Sequence, residues 1–279
     1  MTAPHDDNDT HDRGLAFDLR TIMTRRNSLV VLGLAGVGGY LGFRAFAGGE
    51  ANASGVAGDG TICLADPTET AGPFPGDGTN SKNGAVVNAL QQSGVVRQDL
   101  RPSFNGMTPI AEGVQVDLIL TLVNVSGACA PMAGHAVYLW HCDAEGHYSM
   151  YDSTDRNYCR GVGITDVGGV VKFTTVFPGC YDGRWPHIHF EVFADAAAAS
   201  NGDNSMLISQ FALPGDVATA VYAAVPLYSA SVSNLAKLTL GSDMVFADNT
   251  DEQLAAQTLG LTGEVGVGFK AVGVIGVLV

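Results

Sequence analysis

The chain has 279 residues, 46% of them hydrophobic and only 15% charged, with 36 glycines, a mix that excludes a disordered chain or a coiled coil and fits a loop-rich β-protein with a sizeable core. Acidic residues outnumber basic ones 28 to 14, for a formal charge of -14. A phosphate backbone would be repelled, so nucleic acid is not an expected partner, and the acidity reads as a solubilising surface.

Taken in order, the N-terminus comes first. Arg25 and Arg26 precede an apolar, glycine-rich run from Leu29 to Phe43, and "AFA" ends at Ala47. A basic region, a short apolar stretch and a small-x-small site are the parts of a signal peptide, and the paired arginines point to the Tat type, which hands folded proteins to its export machinery. Residues 1–47 are therefore expected to be a Tat-type signal and 48–60 a flexible linker, with a domain over 61–279. The run is too short for a good membrane span, so none is expected after cleavage. The reading that remains open is an uncleaved anchor or a chance Arg pair. Export places the protein at the cell envelope or outside the cell.

From Thr61 onward short apolar runs alternate with turn signals, the spacing of an all-β sandwich with short helices and long loops. Strands are predicted over 113–125, 135–142, 159–165, 170–177 and 187–193. "DVGG", between the third and fourth of these, reads as a tight hairpin turn that pairs 159–165 with 170–177 antiparallel. Short helices are predicted over 215–225 and 250–260, and 263–279 reads as closing strand. Five cysteines, at 63, 129, 142, 159 and 180, leave at least one thiol unpaired. Cys159 and Cys180 flank the open end of the predicted hairpin and are the first candidate bridge, with plain buried thiols the equal alternative.

The strand 187–193 carries the chemistry. Residues i and i+2 of a strand face one way, so His187 and His189 project together while Ile188 and Phe190 face the opposite layer. Alone, such a pair is equally a surface pair or two hydrogen-bonded core histidines. Tyr181 precedes this strand and Tyr148 follows the strand 135–142, both on loops, where a rigid sandwich presents its chemistry. Two phenols and two imidazoles form a nitrogen and oxygen donor set. A phenol becomes a ligand near neutrality only where a strongly Lewis-acidic cation replaces its proton, and ferric iron does this best. Tyr151 and Tyr158 read as packing residues, and His135, His141 and His147 as structural or solvent-facing. Trp140 reads as core, and Asp143 and Glu145 as turn and surface residues.

The stretches "VYLWHCDAEGHYSMYD", "RGVGITDVGGVVKFTTVFPGCYDGRWPHIHF" and "LISQF" resemble the intradiol ring-cleavage dioxygenases, over most of 65–246. The resemblance implies that Tyr148, Tyr181, His187 and His189 are the four ligands of a mononuclear Fe(III), with Tyr181 the displaceable one that acts as base. It implies that Arg184 steadies the charged substrate ring, that Gln210 lines the same pocket and that "ETAGPFP" (69–75) passes near it. It further implies an aromatic diol and O2 as substrates, cleaved between the two hydroxylated carbons to a cis,cis-muconate-type diacid. "RWPHIH" stands where R-P-A-H-I-H is more familiar, so a bulky Trp185 sits beside the arginine. No helical N-terminal domain is expected, and the ring substituents and oligomeric state stay open. The alternative is a secreted, non-catalytic binding module that kept the fold. An extradiol-type Fe(II) enzyme fits poorly, because its usual ligands are two histidines and one carboxylate.

Overall fold

The computed structural model describes residues 53–279. The expected signal peptide and the first part of the expected linker lie outside these residues. Thirteen strands follow in order: β1 (Ser54–Val56), β2 (Ile62–Leu64), β3 (Asp77–Lys82), β4 (Ala85–Asn88), β5 (Gln115–Asn124), β6 (Ala130–Pro131), β7 (Ala136–Trp140), β8 (Arg160–Ile164), β9 (Val170–Val176), β10 (His187–Phe193), β11 (Leu207–Ala212), β12 (Gly260–Glu264) and β13 (Gly268–Val277). Three helices, α1 (Gly215–Ala224), α2 (Ser229–Leu235) and α3 (Asp251–Gln257), lie between β11 and β12.

Two sheets face each other. One has the order β11-β10-β7-β8; in the other, β13 lies between β12 and β5, while β6 and β9 share the far edge of β5. Period-2 alternation explains the contact between them. Val116, Leu118, Leu120 and Leu122 of β5 and Phe269, Ala271 and Ile275 of β13 pack against Val137 and Leu139 of β7, Ile188, Phe190 and Val192 of β10 and Phe211 of β11. The result is the predicted β-sandwich.

β10 is buried at all seven positions, so both of its faces are covered. The second cover is a layer of loops and the β3-β4 hairpin, whose Ala71, Leu90, Phe104, Tyr148 and Tyr151 pack with Tyr138, Trp140 and Phe193 on the outer face of the four-stranded sheet. Trp140 is therefore buried as expected, but it faces this outer layer and not the space between the sheets. The histidines of β10 lie in the same layer.

Three expectations are corrected. The "DVGG" turn closes locally, with Asp166 N donating to Val170 O, but β8 pairs with β7 and β9 with β5. The turn is a corner between sheets. Local turn chemistry fixes the reversal of the chain and not the sheet that each arm joins. The second correction follows from the first: with no open hairpin end to bridge, Cys159 and Cys180 are free and buried, like Cys142, and the disulfide is Cys63–Cys129. It ties β2 to the turn between β5 and β6. The third concerns 48–60, whose described part is no linker: β1 pairs antiparallel with β2.

The helices buttress the site's loops. On α1, Ala218, Val221 and Tyr222 share one buried face at i, i+3 and i+4, and the Tyr222 hydroxyl donates to Pro178 O at 2.9 Å. On α2, Ser231 Oγ accepts from Cys180 N at 2.9 Å, while Asn234 Nδ2 donates to Cys180 O at 2.9 Å. α3 starts with a capping box, in which Thr250 Oγ1 accepts from Gln253 N and Gln253 Oε1 from Thr250 N, and its buried Gln257 donates to Gln210 O at 3.3 Å.

Candidate active site

Four donor atoms meet on the outer face of the four-stranded sheet. His187 Nε2 and His189 Nε2 are 3.1 Å apart, Tyr148 Oη lies 3.3 Å from each, and Tyr181 Oη lies 3.3 Å from His187 Nε2. The pairing of β10 with β7 on one side and β11 on the other sets His189 opposite both Trp140 and Gln210. The indole of Trp140 stacks on the His189 ring at 4.7 Å and 7°, which fixes the ring plane.

The two tyrosines arrive on loops that brace each other. Asp143 organises the first: its Oδ1 accepts from Glu145 N and His147 N, and its Oδ2 from the Tyr158 hydroxyl. Asp143 is thus the expected turn residue, but it is buried and not on the surface. Tyr148 N then donates to Asp152 Oδ2 at 2.5 Å. Gly146, at φ +91°, lies under Tyr181, and a Cβ on Gly179 would meet Ala144 O at 2.7 Å, so the loops touch backbone to backbone at these glycines. Phe74, from the segment 69–75, lays its ring 5.1 Å from that of Tyr148.

Arg184 and Gln210 also converge here. Arg184 Nη2 donates to Gln210 Oε1 at 2.7 Å, and Gln210 Nε2 donates to Thr70 O at 2.8 Å, which draws the 69–75 segment over the site. All six expected residues are therefore brought together. Trp185 turns away from them: its Nε1 donates to Leu213 O at 2.9 Å, and its ring packs with Ala212, Val245 and Phe246 and against Gly215. Its carbonyl faces the site and accepts His187 Nδ1–H at 2.5 Å.

Sequence reasoning missed Asp243. This fully buried carboxylate accepts from Arg184 Nε at 3.0 Å and from Trp185 N at 2.6 Å through Oδ2. A single Asp in the loop "GSDMVF" carries no periodicity, spacing or motif that could have signalled it.

Burial sets the protonation states. It pushes the His187 and His189 imidazoles down from their ordinary range, helped at His189 by its partner His187 and at both by the Arg184 charge, so both are neutral near pH 7. With the His187 Nδ1 proton given to Trp185 O, Nε2 offers a lone pair. Burial also pushes the Tyr148 phenol well above its ordinary value, so it loses its proton only to a cation that takes the proton's place. At Asp243 burial works upward, but the Arg184 charge and the backbone N–H donors outweigh it and hold the carboxyl below its usual range.

Two neutral imidazole nitrogens and two phenol oxygens, linked by contacts of 3.1–3.3 Å through His187 Nε2, suit one small, hard to borderline, Lewis-acidic cation. Among the described residues no group of three His, Cys, Asp or Glu side chains converges, so no two-histidine, one-carboxylate triad competes with this set. The residues present fit Fe(III).

A family model described as "Dioxygenase" matches residues 91–249, more than half of the chain and a stretch that contains all six site residues and Asp243. Catechol 1,2-dioxygenase 1 of Acinetobacter lwoffii is 28% identical over 153 residues, 47% of this chain and 44% of that protein, so the match spans less than half of that relative. The solved structure of an intradiol ring-cleavage dioxygenase from Tetranychus urticae shares the fold, with a TM-score of 0.58 at 20% identity over 77% of this chain and 95% of that one. With two phenols and two imidazoles gathered inside the matched stretch, the chain belongs to the intradiol ring-cleavage dioxygenase family.

Proposed function

We propose that the protein is an exported Fe(III) dioxygenase that uses O2 to cleave a catechol-type diol between its two hydroxylated carbons, giving a cis,cis-muconate-type diacid. The observation that carries this reading is the cluster of Tyr148 Oη, Tyr181 Oη, His187 Nε2 and His189 Nε2 at 3.1–3.3 Å. Bound by these four residues, ferric iron would supply the Lewis acidity that lets a chelated diol give up both hydroxyl protons, which would leave its ring electron-rich and reactive toward O2.

The chain's own residues supply the rest. Tyr148, His187 and His189 are each about 2% exposed, so they form a dry floor. Tyr181 is half-buried and so more exposed than the other three. Its Oη is the group that takes one proton from the incoming diol. Arg184, braced at two of its nitrogens, presents a fixed positive charge to the ring as negative charge develops there.

The test is a visible spectrum of the protein before and after addition of catechol under nitrogen. A broad tyrosinate-to-Fe(III) band that shifts with catechol is expected. An iron-replete, colourless protein indifferent to catechol would refute the reading.

Export is supported by Arg25 and Arg26 ahead of the apolar run 29–43, and by the Cys63–Cys129 bridge, because disulfides persist in oxidising compartments. Replacing both arginines by lysine is expected to retain the protein in the cytoplasm. Unchanged export of that variant would argue against a Tat route.

A further inference from the structure

We propose that Asp243 is a positioning residue for both halves of the centre, fixing Arg184 on the substrate side and, through the Trp185 peptide, the His187 ring on the metal side. The proposal rests on the functional reading above only for its iron and turnover measurements.

The carboxylate accepts four N–H groups. Oδ2 takes Arg184 Nε at 3.0 Å and Trp185 N at 2.6 Å; Oδ1 takes Val245 N at 2.8 Å and Phe246 N at 3.3 Å. Because Arg184 and Trp185 are consecutive, one oxygen fixes the side chain of the first and the peptide of the second. The carbonyl of Trp185 in turn accepts His187 Nδ1–H. A contact of this kind sets the tautomer and orientation of an imidazole ligand. Toward the substrate, Asp243 and Gln210 grip the guanidinium at Nε and Nη2, so neither end swings.

Asp243 is itself rigid. Its N–H turns back to Thr239 O and Leu240 O, its carbonyl accepts from Ala247 N at 2.8 Å, and it lies beside the apolar cluster of Ala212, Val245, Phe246 and Trp185. Charge adds a second effect. An isolated guanidinium next to two imidazoles repels a cation, and Asp243 offsets that repulsion at the distance of a hydrogen bond.

Asp243→Asn keeps the shape but offers one acceptor oxygen for four donors. Whichever way the amide turns, its NH2 faces two N–H groups. The experiment compares wild type, Asp243→Asn and the double variant Arg184→Met/Asp243→Asn, which removes the buried charges together and so leaves neither uncompensated. Fe(III) affinity is measured by chelator competition, melting temperature with and without iron, and KM and kcat with catechol. In the metal-free protein, exchange of the His187 Nδ1 proton is followed by NMR.

The expected result for Asp243→Asn is iron affinity weaker by about 10- to 100-fold, a smaller gap between iron-loaded and metal-free melting temperatures, a raised KM and faster exchange of the His187 proton. The double variant is expected to keep the weakened iron affinity and the fast exchange. If both variants merely melt lower, with the melting gap and proton exchange of wild type, and Asp243→Asn also keeps the wild-type KM, Asp243 is a structural prop and the proposal fails. A wild-type protein that takes up no Fe(III) refutes the dioxygenase reading instead, and the proton-exchange comparison still decides the role of Asp243.

Discussion

Asp66 is a carboxylate that the fold keeps at a cost, and the cost depends on pH. It sits just after β2 and closes the end of β13: its N–H donates to Gly276 O at 3.0 Å, and its Oδ2 accepts from Gly276 N at 2.7 Å. Its other oxygen, Oδ1, is buried with no hydrogen-bond partner among the described residues. Burial, with a smaller push from the Glu69 charge, raises its pKa from 3.8 to about 7. The folded state therefore holds the proton more tightly than the unfolded chain does. This stabilises the fold fully below pH 4, and the stabilisation is lost as pH rises through about 7. A rise from 3.8 to about 7 corresponds to about 4 kcal/mol, an upper figure because the unfolded chain is not fully solvated. Asp66→Asn mimics the protonated form and removes the dependence. Urea unfolding at pH 5 and pH 8 should show wild type losing several kcal/mol across the interval and the variant losing distinctly less; Glu69, raised to about 7 mainly by burial, supplies what slope remains. A stability difference between variant and wild type that is the same at both pH values would refute this account of Asp66.

Other expectations follow from the site and its supports. Replacing Cys63 and Cys129 by alanine opens a loop with a sequence separation of 66, worth about 4 kcal/mol in chain entropy, read as a lower urea midpoint under non-reducing conditions. Tyr181→Phe should leave iron bound through the other three residues while kcat falls by about 10²- to 10⁴-fold, the usual worth of a general base. Trp185→Phe should lose the bond to Leu213 O, costing about 1 kcal/mol in thermal stability, with KM unchanged because the ring points away from the site. His189→Ala should weaken iron binding, read as less visible absorbance at a given iron concentration, and leave Trp140 without its stacking partner.

The legible parts of this molecule are those governed by short-range periodicity. Alternation along 113–125 and 187–193 gives β5 and β10, and the same alternation puts His187 and His189 on one face. Tyr148 and Tyr181 lie on loops, where no period operates, and only the resemblance picks them out from Tyr151 and Tyr158. The partner of a strand is a long-range property, which is why "DVGG" reads as a hairpin while its arms join different sheets, and why Cys63 and Cys129 meet unannounced. β11, the strand that carries Gln210, was legible as a motif and not as a strand. Asp243 shows the limit most sharply, since its four donors come from two segments that the sequence does not connect.

The place of β13 has a consequence for how the chain reaches its final form. It runs parallel to β5, with Phe269 beside Val116 and Val277 beside Asn124, and it also holds β12. A chain emerging from the ribosome therefore exposes one whole edge of β5 until residues 268–277 have been made, and loop closure over that span makes the pairing slow. The four strands of the histidine-bearing sheet, β7, β8, β10 and β11, have all been made by residue 212. Synthesis thus completes the sheet that holds the chemistry first, and the sheet that encloses its core last.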